Sequence, residues 1–136
     1  MQCFFVFCFF SELENHYFSE ILDHKESATN IDTCCSYLQE LIPQDACFDM
    51  IGGAAGCLAA LIAAKESIEP KQFAQLTRQC VDHILQNYKD PSIMPEQMKN
   101  DVVDKSLLGF SHGVSGILWA LDKYDALFPG DADIKS

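Results

Sequence analysis

Two stretches of this chain hold the residues suited to proton chemistry. One is Leu108-Gly109-Phe-Ser-His112-Gly113-Val-Ser-Gly116-Ile117, which presents an imidazole, and the other is Phe48-Asp49-Met-Ile-Gly52-Gly53-Ala-Ala-Gly56, which presents a carboxylate. Imidazole gives and takes protons near neutral pH, and a carboxylate can orient it or accept a proton itself. His112 therefore reads as a ligand or proton carrier, against the plainer reading of a loop histidine bonded to a backbone carbonyl. Asp49 reads as an acid facing the same cavity as His112, against a carboxylate that caps its own loop. Ser111 is a candidate cap for the helix that follows.

Other constellations carry less. Cys80-Val-Asp-His83 has the spacing of a metal half-site on one helix face. Cys80, however, belongs to an apolar stripe that His83 does not share, so a core thiol and a surface imidazole are expected. The chain has seven cysteines, an odd count without C-x-x-C, and there is no H-E-x-x-H. Free buried thiols in a reducing cytoplasm are the expectation. Neither glycine-rich stretch has the Lys-Ser/Thr ending of a phosphate-binding loop.

The elements that position the two stretches form a repeat. Aligning Gly53 with Gly113 gives G-x-x-G-x-L-x-A-L in both, at an offset of 60 residues and with five identities in nine positions. Such a period suits a stacked helical pair. Ala54 to about Ser67 reads as a helix apolar on nearly every side, which belongs inside other helices. Pro70 to Tyr88 has Pro at its start and a single stripe of Phe73, Leu76, Cys80, Val81, Ile84, Leu85 and Tyr88, so it belongs outside. About Gly113 to Leu127 repeats the inner character. Earlier, Ser11-Glu-Leu-Glu14 is a capping box that opens a helix to about His24. Lys25 to Asn30 reads as a polar linker, and Ile31 to Ile42 as a helix stopped by Pro43. A short helix is expected near 96–103, inside the long connection from Lys89 to Leu108. The expected fold is all-α, a partial α/α toroid of concentric inner and outer helical hairpins forming an incomplete ring.

Composition bounds the function. A chain of 136 residues with 49% hydrophobic residues is long and apolar enough for one core. A formal charge of −11 argues against nucleic-acid binding and against an anionic membrane surface. The opening run Met-Gln-Cys-Phe-Phe-Val-Phe-Cys-Phe-Phe lacks a basic region and a cleavage site, and it is too short to span a bilayer. A cytoplasmic protein is expected.

At the two glycine-headed stretches the sequence resembles the cyclase domain of lanthipeptide synthetases, the LanC-like family, and most closely the C-terminal region of class II LanM-type bifunctional synthetases. The resemblance covers about residues 35 to 130. It implies an α/α toroid and a reaction in which a cysteine thiol of a precursor peptide adds to dehydroalanine or dehydrobutyrine, closing a thioether ring. It further implies a Zn2+ ion that binds the thiol and lowers its pKa. His112 matches the family's active-site histidine, a candidate acid for the enolate. Asp49 matches the aspartate that holds the histidine or accepts the thiol proton.

The family's zinc ligands belong to later motifs, of the W-C-x-G and C-H-G kind, and neither motif occurs in this sequence. Zinc is thus expected in a full-length family member, with no metal ligand assigned here. The expectation is residues 1–30 as a segment of uncertain assignment and 31–136 as the N-terminal portion of a cyclase domain, a fragment inactive alone. Its partner is a precursor peptide, and exposed apolar surface should promote self-association. Two alternatives stand beside this reading. One is a non-catalytic helical-repeat module that binds peptides. The other is a different α/α-toroid enzyme, such as a glycosidase or terpenoid-cyclase relative. Those use paired or clustered carboxylates, where these loops offer one Asp and one His.

Overall fold

The computed structural model of the protein describes residues 24–88 and 109–130, and every regular element among them is helical. Helix α1 spans His24–Leu41 and passes into a 3-10 turn at Ile42–Gln44. Helix α2 spans Ala54–Ala63 and is followed by a second 3-10 turn, Lys65–Ser67. Helices α3, Pro70–Tyr88, and α4, Val114–Leu127, complete the set. The all-α class expected of a partial toroid is what the chain adopts. The expected helix over 11–24, the short helix near 96–103 and the apolar opening run lie outside the described residues.

Three boundaries differ from expectation. The polar stretch Lys25 to Asn30 is helical, so α1 begins at His24 rather than Ile31. No glycine or proline interrupts that stretch, and polarity alone does not stop a helix whose backbone bonds are satisfied. The inner helix ends at Ala63, because the Ala64 N–H is shared between the carbonyls of Ala60 and Ile62 and the chain tightens into the 3-10 turn. Gly113 is the cap of α4 rather than its first residue, and Ser111 makes no side-chain cap to it.

Helices α2 and α3 lie where their patterns send them. In α3 the residues Phe73, Leu76, Cys80, Val81 and Ile84 are buried, a stripe at three- and four-residue spacing. Full burial stabilises by about 1.5–3 kcal/mol for each large apolar side chain. Pro70 sits at the first position, where no amide is needed, and the Glu69 carboxylate accepts the Gln72 N–H at 2.8 Å. Bonds from the backbone amides of Lys71 and Gln72 hold the Glu69 carboxyl below the usual glutamate range. Helix α2 is buried almost all round, with Leu58 and Leu61 fully enclosed. It packs against α3 on one side and α4 on another, while α1 lies on α3. Helix α2 thus takes the inner position with α3 outside it, whereas α4, expected to be apolar all round, buries Ile117, Ala120 and Leu121 and leaves Leu118 and Trp119 exposed.

Candidate active site

The two glycine-headed loops are copies of one another in space. Both run bend, turn and bend over five residues, 49–53 and 109–113, before their helices begin. Gly53 caps α2 at φ −119°, ψ −174°, and Gly113 caps α4 at φ −128°, ψ 179°. A Cβ on Gly56 would land on the Met50 carbonyl oxygen, and one on Gly116 would land on the Phe110 carbonyl oxygen. In each repeat the glycine three residues into the helix lets the preceding loop fold back against it.

The first loop is fixed by carboxylates. Asp45 accepts the Cys47 N–H on Oδ1 at 2.9 Å and the Phe48 N–H on Oδ2 at 3.0 Å. The same Oδ2 accepts the Ala54 N–H at 2.8 Å, nine residues away, at the first residue of α2. The Phe48 and Asp49 carbonyls take the next two amides, from Ala55 and Gly56. The opening amides of α2 are therefore satisfied within the protein. Phe48 has φ +57°, a left-handed conformation that non-glycine residues seldom hold. It is retained because its ring is buried against the His83 imidazole, with centroids 5.3 Å apart.

Asp49 divides its two oxygens. Oδ1 accepts the Ile51 and Gly52 amides at 3.0 and 2.8 Å, closing the loop on itself. Oδ2 reaches across to the second loop and lies 2.8 Å from Nδ1 of His112, 63 positions along the chain. One oxygen thus caps the loop and the other contacts the His112 ring. The Met50 N–H donates to the Ser111 carbonyl at 3.1 Å, so a backbone bond joins the loops beside the side-chain contact. Met50 also places its Cγ where a Cβ on Gly116 would stand.

This geometry defines the imidazole. An ionised carboxylate only accepts, so the nitrogen facing it, Nδ1, carries the hydrogen. Nε2 is then the atom available to a substrate, and among the described residues it has no hydrogen-bond partner. The His112 side chain is 61% exposed and that of Asp49 11% exposed, so the carboxylate is a buried anchor and the ring points outward. Such a pair can move a proton at Nε2 while the carboxylate fixes tautomer and orientation.

The remaining candidates are structural. The His83 Nε2 donates to the Asp45 carbonyl at 2.9 Å, and its Nδ1 accepts from the Asn87 amide at 3.0 Å. Cys80 is buried and hydrogen-bonded to Cys57, and that bond together with burial pushes its thiol pKa well up. The two side chains of the suspected half-site thus turn to different partners. Asp45 is the residue that sequence reasoning missed. Its bond to Ala54 spans nine residues, and the position just before α2, where a capping side chain is sought, holds glycine.

A family model described as lanthionine synthetase C-like protein matches residues 16–135. Searches of curated proteins and of solved structures returned no match. The matched span takes in both loops, the Asp49–His112 contact and all four helices, and it covers well over half of the sequence. The chain belongs to the LanC-like family of lanthionine synthetase C-like proteins.

Proposed function

We propose that this protein is a lanthionine-forming cyclase closest to the class II LanM-type synthetases. In this reading residues 31–136 belong to the cyclase domain, His112 is the proton carrier and Asp49 its orienting carboxylate. The family acts on peptide substrates, and the substrate proposed here is a precursor peptide bearing a cysteine and a dehydroalanine or dehydrobutyrine. The supporting observation is the 2.8 Å contact between His112 Nδ1 and Asp49 Oδ2, made across two repeats and leaving Nε2 outward.

The chemistry follows from that atom. The sulfur of the peptide thiol forms a bond to the β-carbon of the dehydro residue, and the carbon–carbon π bond breaks toward the carbonyl. The thiol proton passes to Nε2 of His112, and the enolate takes it at the α-carbon from that Nε2–H. Product and reactant are isomers. Asp49 keeps Nδ1–H in place throughout and balances the positive ring before it discharges.

Family members generally bind zinc. Among the described residues no three His, Cys, Asp or Glu side chains come together as a metal site. Three of the five described cysteines are buried in the core. These residues do not fit a zinc ion, and no step is drawn through one.

The test is cyclisation of a dehydrated precursor peptide by the protein in zinc-containing buffer, read as loss of alkylatable thiol without change in mass. His112→Asn should slow ring closure by about 10²–10⁴-fold, the usual contribution of a positioned acid. Ring closure at the wild-type rate in that variant overturns the reading. Phe110, Leu118 and Trp119 are exposed and favour a second reading, a peptide-binding module. Peptide bound without any isomerisation would support it instead.

A further inference from the structure

We propose that Asp45 is a positioning residue for the His112–Asp49 pair, holding it from outside through a chain of hydrogen bonds that begins on α3; the proposal rests on the reading of that pair as the reacting groups. The chain can be followed atom by atom. Asn87 donates to Nδ1 of His83, His83 donates from Nε2 to the Asp45 carbonyl, and the Asp45 carboxylate gathers the amides of Cys47, Phe48 and Ala54. The Phe48 amide leads into the left-handed backbone at φ +57°, immediately before Asp49.

Two of those bonds matter for the pair. The bond to Phe48 fixes the backbone just ahead of Asp49, and the bond to Ala54 fixes the end of the same loop at the head of α2. With both ends tied to a single carboxylate oxygen, the Asp49 backbone has little freedom, and Oδ2 is delivered to His112. A negative carboxylate at a helix N-terminus is also favourably placed against the helix dipole. The packed Phe48 and His83 rings hold the strained turn shut from the other side. The bonds of Asp45 go to Cys47, Phe48, Ala54 and His83 and not to His112, so it acts through Asp49.

The experiment reads the ring rather than turnover. Nitrogen NMR of the full chain with labelled histidine reports which nitrogen of His112 carries the hydrogen. In the wild-type protein Nδ1–H should dominate. Asp45→Ala should lower the Nδ1–H to Nε2–H ratio of His112 by about tenfold, the scale set by weakening one charge-assisted bond. Asp45→Asn, which keeps one acceptor oxygen, should recover part of it. Glu69→Ala removes a capping carboxylate from the distant start of α3 and should leave the ratio unchanged. If Asp45→Ala and Glu69→Ala move the His112 signals equally, or Asp45→Ala does not move them, the positioning role is wrong. Asp49→Asn separates the two claims. A His112 ratio indifferent to Asp49→Asn undermines the pair itself, whereas a response to Asp49→Asn with none to Asp45→Ala overturns only the inference about Asp45.

Discussion

The two carboxylate oxygens of Asp49 serve different partners. Its Oδ1 closes the loop and its Oδ2 orients His112, so Asp49→Asn acts on both and retains only part of each. Asp49→Asn is expected to slow cyclisation by about 10- to 100-fold, a smaller effect than loss of His112, because the ring remains but its tautomer is no longer enforced. Rate assays on the variant beside its melting temperature would separate this from unfolding. Cysteine offers a contrast at the same scale. Burial pushes the Cys35 thiol up from 9.0 to about 12, and Cys80 is raised well above 9.0 too. Their folded-state pKa values are raised, so the thiols contribute stability that is fully present below pH 9 and lost as pH rises toward about 12. Brief alkylation of the native protein at pH 8 should therefore spare Cys35 and Cys80, with labelling only after denaturation. Rapid native labelling at either would contradict their burial. The sequence displayed His112 and Asp49 because each stands beside a glycine pair or glycine step in a repeated frame. It concealed Asp45, whose role depends on a loop bringing residue 54 back to it.

Helix heads decide whether the loops meet. Alanine in place of glycine inside a helix ordinarily gains about 1 kcal/mol from propensity. At Gly116 the new methyl would meet the Phe110 carbonyl and the Met50 side chain, and at Gly56 it would meet the Met50 backbone. Overpacking of that kind costs about 1–3 kcal/mol, more where backbone must move. Repulsion outweighs propensity, and both Gly56→Ala and Gly116→Ala should lower the melting temperature and separate the loops. A gain in stability from either substitution would show that the loops are not packed on these helices. The period of 60 residues was readable because each of these glycines answers a contact that only hydrogen permits. Helix α3 was readable to its ends, since Pro70 marks the start and one continuous stripe runs to the last turn. The start of α1 was not. Lys25 to Asn30 contains neither an apolar period nor a breaker, and the backbone simply continues.

At the scale of the whole molecule, the two repeats are covered unequally. Leu58 of α2 is fully buried, while Leu118, its counterpart in α4, is 59% exposed. Trp119 and Phe110 are exposed beside it and lie edge to face, with centroids 5.6 Å apart. Surface of this kind favours association, which the formal charge of −11 opposes through long-range repulsion. Sedimentation should show self-association that increases with salt, as repulsion is screened, and that weakens in Leu118→Gln. A monomer at every salt concentration would contradict it. None of the helices among the described residues is long and apolar enough to cross a membrane. The all-helical class and the inner and outer character of α2 and α3 could be read from periodicity. The direct Asp49–His112 bond could not, because a repeat offset gives the rotation between loops but not how closely they approach. That bond is tested most directly by a double-substitution cycle on the cyclisation rate. Asp49→Asn should slow the wild-type protein yet add almost nothing once His112 is Asn, since groups acting as a unit fail to add. Two full, multiplying losses in the double variant would mean that the residues act independently, and would contradict the proposal that Asp49 works through His112.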